Sequence, residues 1–251
     1  MRFIRENSKD KVVILPNSLT CIDGMIFADT EIKGVILNDG LKKIGSNAFY
    51  GCEALKDFNI PDSVETIDKE AFKNCNSIKY ITIPSKLEFF GAGAFACMDS
   101  LETINVSPAN KTFITPDNKI LIDQMKQKLV LYASGCKDKS YTLKDYNVEL
   151  DWFRHELIKP ISYIGEYAFA GAKNLEELTV CGCSDDVEYT AFQDCPKLKK
   201  LNIEGISLFT CHGFKLRDHG RYYMSETAKQ PLYIPFESVE YKGELVDISP
   251  N

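Results

Sequence analysis

Nine cysteines and three histidines are the residues of this chain best suited to metal or nucleophile chemistry. Cys181-Gly182-Cys183, Cys195, Cys211 and His212 supply zinc-ligand types, but their spacing matches no standard zinc knuckle. His155, His212 and His219 sit in irregular stretches with no matched Ser or Cys partner, so no hydrolase triad is signalled. Gly91-Ala92-Gly93-Ala94-Phe95-Ala96 is glycine-rich, yet it lacks the third glycine and the following helix that would turn amides toward a phosphate. Carboxylates are plentiful but show no pairing pattern, as on a solvated face. The expectation is no catalytic residue, no metal and no cofactor. An enzyme site built by residues 107–160 with the C-terminal segment is the least favoured alternative.

The elements that carry these residues announce themselves by a beat. Phenylalanine returns at Phe27, Phe49, Phe72 and Phe95, and again at Phe169 and Phe192. Its surroundings return with it: Ile44-Gly45-Ser46-Asn47-Ala48-Phe49 compares with Ile67-Asp68-Lys69-Glu70-Ala71-Phe72 and with Ile164-Gly165-Glu166-Tyr167-Ala168-Phe169. A fixed period in the low twenties marks a stacked-repeat architecture. The period has an extended half with apolar residues at its first, fourth and sixth positions, as in Leu55-Lys56-Asp57-Phe58-Asn59-Ile60 and Ile78-Lys79-Tyr80-Ile81-Thr82-Ile83. Such a strand is too short to bury its own apolar face and must stack in parallel on its neighbours.

The other half opens with Pro16, Pro61 or Pro84, which cannot donate to a ladder and so marks a strand exit. Gly45, Gly91 and Gly165 fall where a tight turn is expected, and the Ala-Phe pair then opens a short helical turn. Three residues past the phenylalanine stand Cys52, Cys75 and Cys195, or Thr30, Met98 and Ala172 in the same place. A place that accepts Cys, Thr, Met or Ala is a small interior site, so these cysteines are expected as buried free thiols rather than disulfide partners. Free thiols favour a reducing or anaerobic setting.

The beat fails between Phe95 and Phe169. Lys119-Ile120-Leu121-Ile122 and Lys128-Leu129-Val130-Leu131-Tyr132, separated by five residues, predict a β-hairpin there. The expected organisation is an N-terminal cap over 1–21, a first repeat block over 22–106, a hairpin and loop insertion over 107–160, a second repeat block over 161–204 and a C-terminal cap over 205–251. The fold class is a leucine-rich-repeat-like solenoid. Short parallel β-strands stack in a right-handed coil, mostly β with short helical turns, interrupted by the hairpin.

These residues together resemble the BspA-type leucine-rich repeat family of bacterial proteins. The matching pattern stands as Ile60-Pro61-Asp62-Ser63-Val64-Glu65-Thr66-Ile67, then Ala71-Phe72-Lys73-Asn74-Cys75-Asn76-Ser77-Ile78. The likeness covers roughly residues 10–204, and the family interrupts its repeats with a hairpin like that of Phe113 to Ala133. The resemblance implies protein–protein recognition, surface display and adhesion to host proteins. It brings no fixed functional residues with it.

The formal net charge of −6 disfavours nucleic acid and anionic membranes as partners, and no basic-aromatic stripe offsets it. No run approaches 18 apolar residues, so no membrane insertion is expected. The opening Met1-Arg2-Phe3-Ile4-Arg5-Glu6 turns charged at once. As given, the chain is expected in the cytoplasm, or at the cell surface or secreted if an upstream signal precedes it. The expected partner is a protein bearing an acidic patch; nothing speaks to oligomeric state. Lys33, Lys56 and Lys79 fall at the second position of successive strands, a like-charged row that an acidic partner would relieve. Beside them Ile36, Asn59, Tyr80, Thr82 and Thr103 fall at the exposed third and fifth positions. Trp152, the only tryptophan, sits in the insertion and completes the set of expected binding residues.

Overall fold

The computed structural model describes residues 5–7, 11–144, 161, 163–181, 186–188 and 190–204. Beyond these it describes the strand residues 210–211, 214–217, 221–224, 238–241 and 244–246. The chain winds as a β-solenoid. Each coil runs through a front strand, a bend, a second strand and an outer turn that carries an aromatic plug. Seven such plugs stand among the described residues: Phe27, Phe49, Phe72, Phe95, Tyr132, Phe169 and Phe192.

The front strands of the first five coils are Val12–Ile14, Gly34–Ile36, Asp57–Phe58, Tyr80–Ile83 and Thr103–Val106. They pair in parallel and in step, Ile14 beside Ile36 and Tyr80 beside Thr103. The ladder is irregular between Asp57–Phe58 and Tyr80–Ile83, which belong to separate sheets. The second strands stay in step there, with Thr66 beside Phe89. The alternation of the sequence explains the faces: Val13, Val35, Ile81 and Ile104 are buried, and Ile14, Ile36, Asn59 and Thr82 stand out in solvent.

Pro61 and Pro84 are buried, and their carbonyls accept the Val64 and Leu87 N–H groups, so each proline opens a β-turn at the strand exit. The glycines after the second strand do not serve to free φ. A Cβ on Gly45 would lie 2.7 Å from the Ile22 carbonyl oxygen, and one on Gly91 would lie 2.3 Å from the Lys69 nitrogen. They are glycine because the backbone of the preceding coil passes that close.

The expected helical turn is absent: the outer turns are hydrogen-bonded turns, and no helix forms among the described residues. The cause is local. The residue before four of the five Ala-Phe pairs is left-handed, at Asn47 (φ 57°), Glu70 (54°), Gly93 (65°) and Tyr167 (59°). So is the residue four further on, at Gly51 (66°), Asn74 (64°), Cys97 (55°) and Gly171 (79°). A right-handed helix cannot run through such a residue. The turn's N–H groups instead alternate in direction. Ala48, Tyr50 and Cys52 donate within their own coil, and Asn47, Phe49 and Gly51 donate to carbonyls of the next.

The plugs stack. Ring centroids lie 5.1 Å apart for Phe27–Phe49, 5.0 Å for Phe49–Phe72 and 4.8 Å for Phe72–Phe95. The cysteines three residues past Phe49, Phe72 and Phe192 are buried, and each thiol donates to the plug carbonyl of the coil before: Cys52 to Phe27 (3.0 Å), Cys75 to Phe49 (3.1 Å) and Cys195 to Phe169 (3.0 Å). Seven cysteines are free thiols among the described residues.

The hairpin forms from Ile120–Asp123 and Lys128–Tyr132, closed by a four-residue turn. It enters the second sheet as two extra strands, between Phe113–Ile114 and Tyr163–Ile164. It also supplies the missing plug: Tyr132 is buried, stacks 5.1 Å from Phe169 and donates its N–H to the Ala168 carbonyl. That coil has no outer turn of its own. The outer turn of the Phe95 coil therefore rests directly on that of the Phe169 coil, with Cys97 N–H donating to the Ala170 carbonyl at 3.1 Å.

Beyond the hairpin the front strands resume as Ser140–Leu143, Glu177–Cys181, Lys200–Glu204 and Ser238–Tyr241, all parallel. Antiparallel strands close the ends: Arg5–Asn7 on Val12–Ile14, Glu244–Val246 on Ser238–Tyr241, and Phe214–Arg217 with Arg221–Met224 on the second sheet.

Candidate binding face

The front sheet of the first block carries a row of side chains at the second strand position. Backbone bonds stitch the row: Lys33 N–H to the Lys11 carbonyl (2.9 Å), Lys56 N–H to the Lys33 carbonyl (3.0 Å) and Glu102 N–H to the Lys79 carbonyl (2.9 Å). The row is thus Lys11, Lys33 and Lys56 and, past the break in the ladder, where among the described residues no such bond joins Lys56 to Lys79, Lys79 and Glu102. Its ends are neutralised, by Glu31 on Lys11 and by Lys137 on Glu102 at 3.6 Å. Lys33, Lys56 and Lys79 are exposed, and no ion pair joins them to a carboxylate among the described side chains, to which that of Asp57 does not belong.

The fifth position holds Ile14, Ile36, Asn59 and Thr82, all exposed, and then half-buried Asn105. Tyr80 projects from the third position, 65% exposed, next to half-buried Thr103. The structure therefore brings Lys33, Ile36, Lys56, Asn59, Lys79, Tyr80, Thr82 and Thr103 onto one face. Trp152 lies outside the described residues. Ile14, beside Ile36, extends the apolar end of this face; its signal in the sequence is the Val12-Val13-Ile14-Leu15-Pro16 strand exit, one coil before the first strand counted there.

Elsewhere several lysines are matched. On the second sheet of the same block Lys42 pairs with Glu65, and Lys43 pairs with Asp68 at 2.8 Å. In the second block the front row runs Lys139, Glu176, Lys199, again stitched by backbone bonds, and Lys139 meets Glu176 at 3.1 Å. Next to it Lys200 meets Glu177 at 3.5 Å, and the Asn202 amide donates to Thr179 at 3.2 Å.

The chemically suggestive groups are occupied structurally. Where the two outer turns meet, a depression of about 390 Å³ is lined by Asn74, Cys97, Asp99, Lys173 and Asp194 among others. Its Lys173 is bound to Asp99 at 2.6 Å, and burial pushes the Cys97 thiol up to about 11. A thiol protonated at neutral pH is a poor nucleophile. In the glycine-rich stretch, the Gly91, Ala94 and Ala96 N–H groups donate to the carbonyls of Ile67, Gly91 and Gly93. Among the described residues no three His, Cys, Asp or Glu side chains gather as metal ligands. His212 and the side chains of Cys183 and Cys211 lie outside them.

The recurring plug, thiol and strand exit fit one known pattern. A family model for the BspA type leucine rich repeat region matches six copies over residues 5–117 and 149–216. The chain belongs to that family. The interval between the two matches contains the hairpin, where the family's repeat gives way to antiparallel strands. Among solved structures, the pneumococcal vaccine antigen PcpA is 19% identical with a TM-score of 0.60, over 78% of this chain and 62% of that one. A leucine-rich repeat protein from Eubacterium ventriosum is 23% identical with a TM-score of 0.60, over 78% and 55%. A leucine rich cell surface protein from Faecalibacterium prausnitzii is 21% identical with a TM-score of 0.55, over 77% and 54%. At these identities the likeness establishes the fold alone, and the chain spans less than two thirds of each of those proteins. A search of curated proteins finds no match to the chain. Among the described residues no helix is long and apolar enough to cross a membrane.

Proposed function

We propose that the chain is a non-catalytic protein-binding module that holds an acidic protein surface on the front sheet of its first block. The observation that carries this is the row Lys33, Lys56 and Lys79, unmatched among the described side chains, where Lys42 and Lys43 on the other sheet and Lys139 and Lys200 in the other block are paired. Like charges one strand spacing apart repel, and a carboxylate-bearing partner removes that repulsion. Ile36 and Tyr80 add exposed apolar area, and aromatic anchors with a polar surround suit an interface. Asn59, Thr82 and Thr103 supply hydrogen-bonding groups on the same face.

The test is capture of proteins from extracts of the native organism and its surroundings, followed by calorimetry with the purified partner. The variant Lys33→Glu/Lys56→Glu/Lys79→Glu is expected to weaken binding by at least tenfold. The control Lys139→Glu/Lys199→Glu in the second block is expected to leave it within about twofold. Undiminished binding by the first variant ends the reading. A second reading, display at the cell surface as an adhesin for host matrix proteins, is supported by the neighbours named as a cell surface protein and a vaccine antigen. Protease treatment of intact cells tests it; a chain left uncut in intact cells and cut in lysed ones ends it.

A further inference from the structure

We propose that the element of the partner that docks here is an amphipathic α-helix with an acidic stripe, lying along the solenoid axis across the Phe27 to Phe95 coils. This rests on the reading that the face takes an acidic protein. The plugs give the molecule its own ruler: successive coils advance by 5.1, 5.0 and 4.8 Å. Lys33, Lys56 and Lys79 ride on three consecutive coils, whose plugs span two such steps, about 10 Å, although the front strands themselves are unpaired between Lys56 and Lys79. An α-helix rises about 5.4 Å per turn, and carboxylates at i, i+3 or i+4, and i+7 rise about 5 and 10.5 Å. A strand laid along the same axis repeats a face every ~6.7 Å and reaches ~13 Å in two repeats. The helix keeps step with the coils and the strand drifts out of step.

The width agrees as well. Ile14 and Ile36 stand three residues along the strand from Lys11 and Lys33, about 10 Å away. That is close to the 10–12 Å diameter of a helix with its side chains. A helix with an acidic stripe down one flank and, down the other, a stripe that begins apolar and turns polar meets Lys33, Lys56 and Lys79 on one side and Ile36, Asn59 and Thr82 on the other. Gly34, in the third position of its strand, has no side chain to block the space between Lys33 and Ile36. Tyr80 stands at the far end of the row, where its ring packs against the last turn of the helix. The second sheet offers no equivalent, because Lys42 and Lys43 are already paired.

The experiment uses the full chain and three labelled peptides of equal length and charge, followed by fluorescence anisotropy. The first is a helix former with Glu at i, i+4 and i+7 and a leucine stripe. The second is the same peptide with two central prolines. The third alternates Val and Glu as an extended strand. The helical peptide is expected to bind at least tenfold tighter than the other two and to gain helical circular dichroism on binding. Its affinity is expected to fall tenfold or more in Lys33→Glu/Lys56→Glu/Lys79→Glu and in Ile36→Asp, with the variants' own circular dichroism unchanged. Equal binding by the proline or Val/Glu peptide, still lost with the lysines, overturns the helix and leaves the acidic-face reading standing. Binding of every peptide unaffected by the lysine variant overturns both. Tighter binding of inorganic polyphosphate than of any peptide overturns the helix, as does self-association of the chain that Ile36→Asp abolishes in sedimentation.

Discussion

The two repeat blocks share an interior and differ at their front faces. Phe72 and Phe169 are both fully buried plugs, and Cys75 and Cys195 make the same thiol-to-carbonyl contact. On the front, the first block presents Lys33, Lys56 and Lys79 in file, and the second alternates Lys139, Glu176 and Lys199 with an ion pair at 3.1 Å. Stacking demands the common interior, since each coil can bury its apolar face only on a matching neighbour. It places no such demand on the solvent positions. A like-charged file costs stability, and the proposed acidic partner would offset that cost.

The widest test of this contrast is to break the shared interior in both blocks. Phe72→Ala and Phe169→Ala each lose a fully buried ring and are expected to cost about 4 kcal/mol. Denaturant unfolding should show the two costs within about 1 kcal/mol of each other; a wide disparity would refute the idea of equivalent interiors. Next in size is the seam between the blocks. Gly171 is left-handed at φ 79°, and a Cβ there would lie 2.5 Å from the Cys97 Cα. Gly51 is also left-handed, but its Cβ would meet an Asp29 side-chain oxygen that can swing aside. Gly171→Ala is therefore expected to cost about 3 kcal/mol and Gly51→Ala about 1 kcal/mol. Equal midpoints in thermal unfolding would mean that the seam is no tighter than an ordinary step.

The buried thiols sharpen the comparison through pH. Burial raises Cys75 well above 9.0 and pushes Cys195 up to about 12. A raised thiol pKa means the folded state keeps protons that the unfolded state has released. The contribution is complete below the unfolded value and is lost as pH rises from about 9 toward 12. For Cys195 the loss at pH 10, one unit above the unfolded value of 9.0, is about 1.4 kcal/mol. Cys75→Ala and Cys195→Ala should each flatten the alkaline fall in the urea midpoint. The smallest effect concerns the faces themselves. Lys56→Glu breaks the like-charged file and is expected to stabilise by a few tenths of a kcal/mol, whereas Glu176→Lys creates such a file and should destabilise by as much. Both shifts should fade in 1 M salt, where charges a few ångströms apart are screened; shifts of the same sign in the two blocks would contradict the charge contrast.

The solenoid was legible in the sequence because stacking imposes one period on strand, proline, plug and thiol together. The hairpin was legible for the same reason, as the place where that period fails. What was not legible depends on contacts between coils. Gly45 and Gly91 look like turn residues in isolation, and only the neighbouring backbone shows that they are small for clearance. Glu70 and Tyr167 adopt left-handed backbone that neither residue type favours, because the outer turn is fixed by its neighbours. Tyr132 lacks the preceding alanine that marks five of the other six plugs, so its role was hidden inside a strand pattern. The lysine file could be counted directly, since it keeps the beat. The pairing of Lys139 with Glu176 could not, because those residues are 37 positions apart and fall out of the period.

The contact between the outer turns of the Phe95 and Phe169 coils also bears on the order of folding. Most inter-coil contacts join residues about 23 positions apart, like Lys42 and Glu65. Lys173 and Asp99 are 74 apart. Closing the longer loop costs about 1 kcal/mol more in chain entropy, from the logarithm of the ratio of loop lengths. Each block can nucleate on its own short loops and grow coil by coil. The seam is then expected to close last, with the two faces already formed when the halves of the molecule meet.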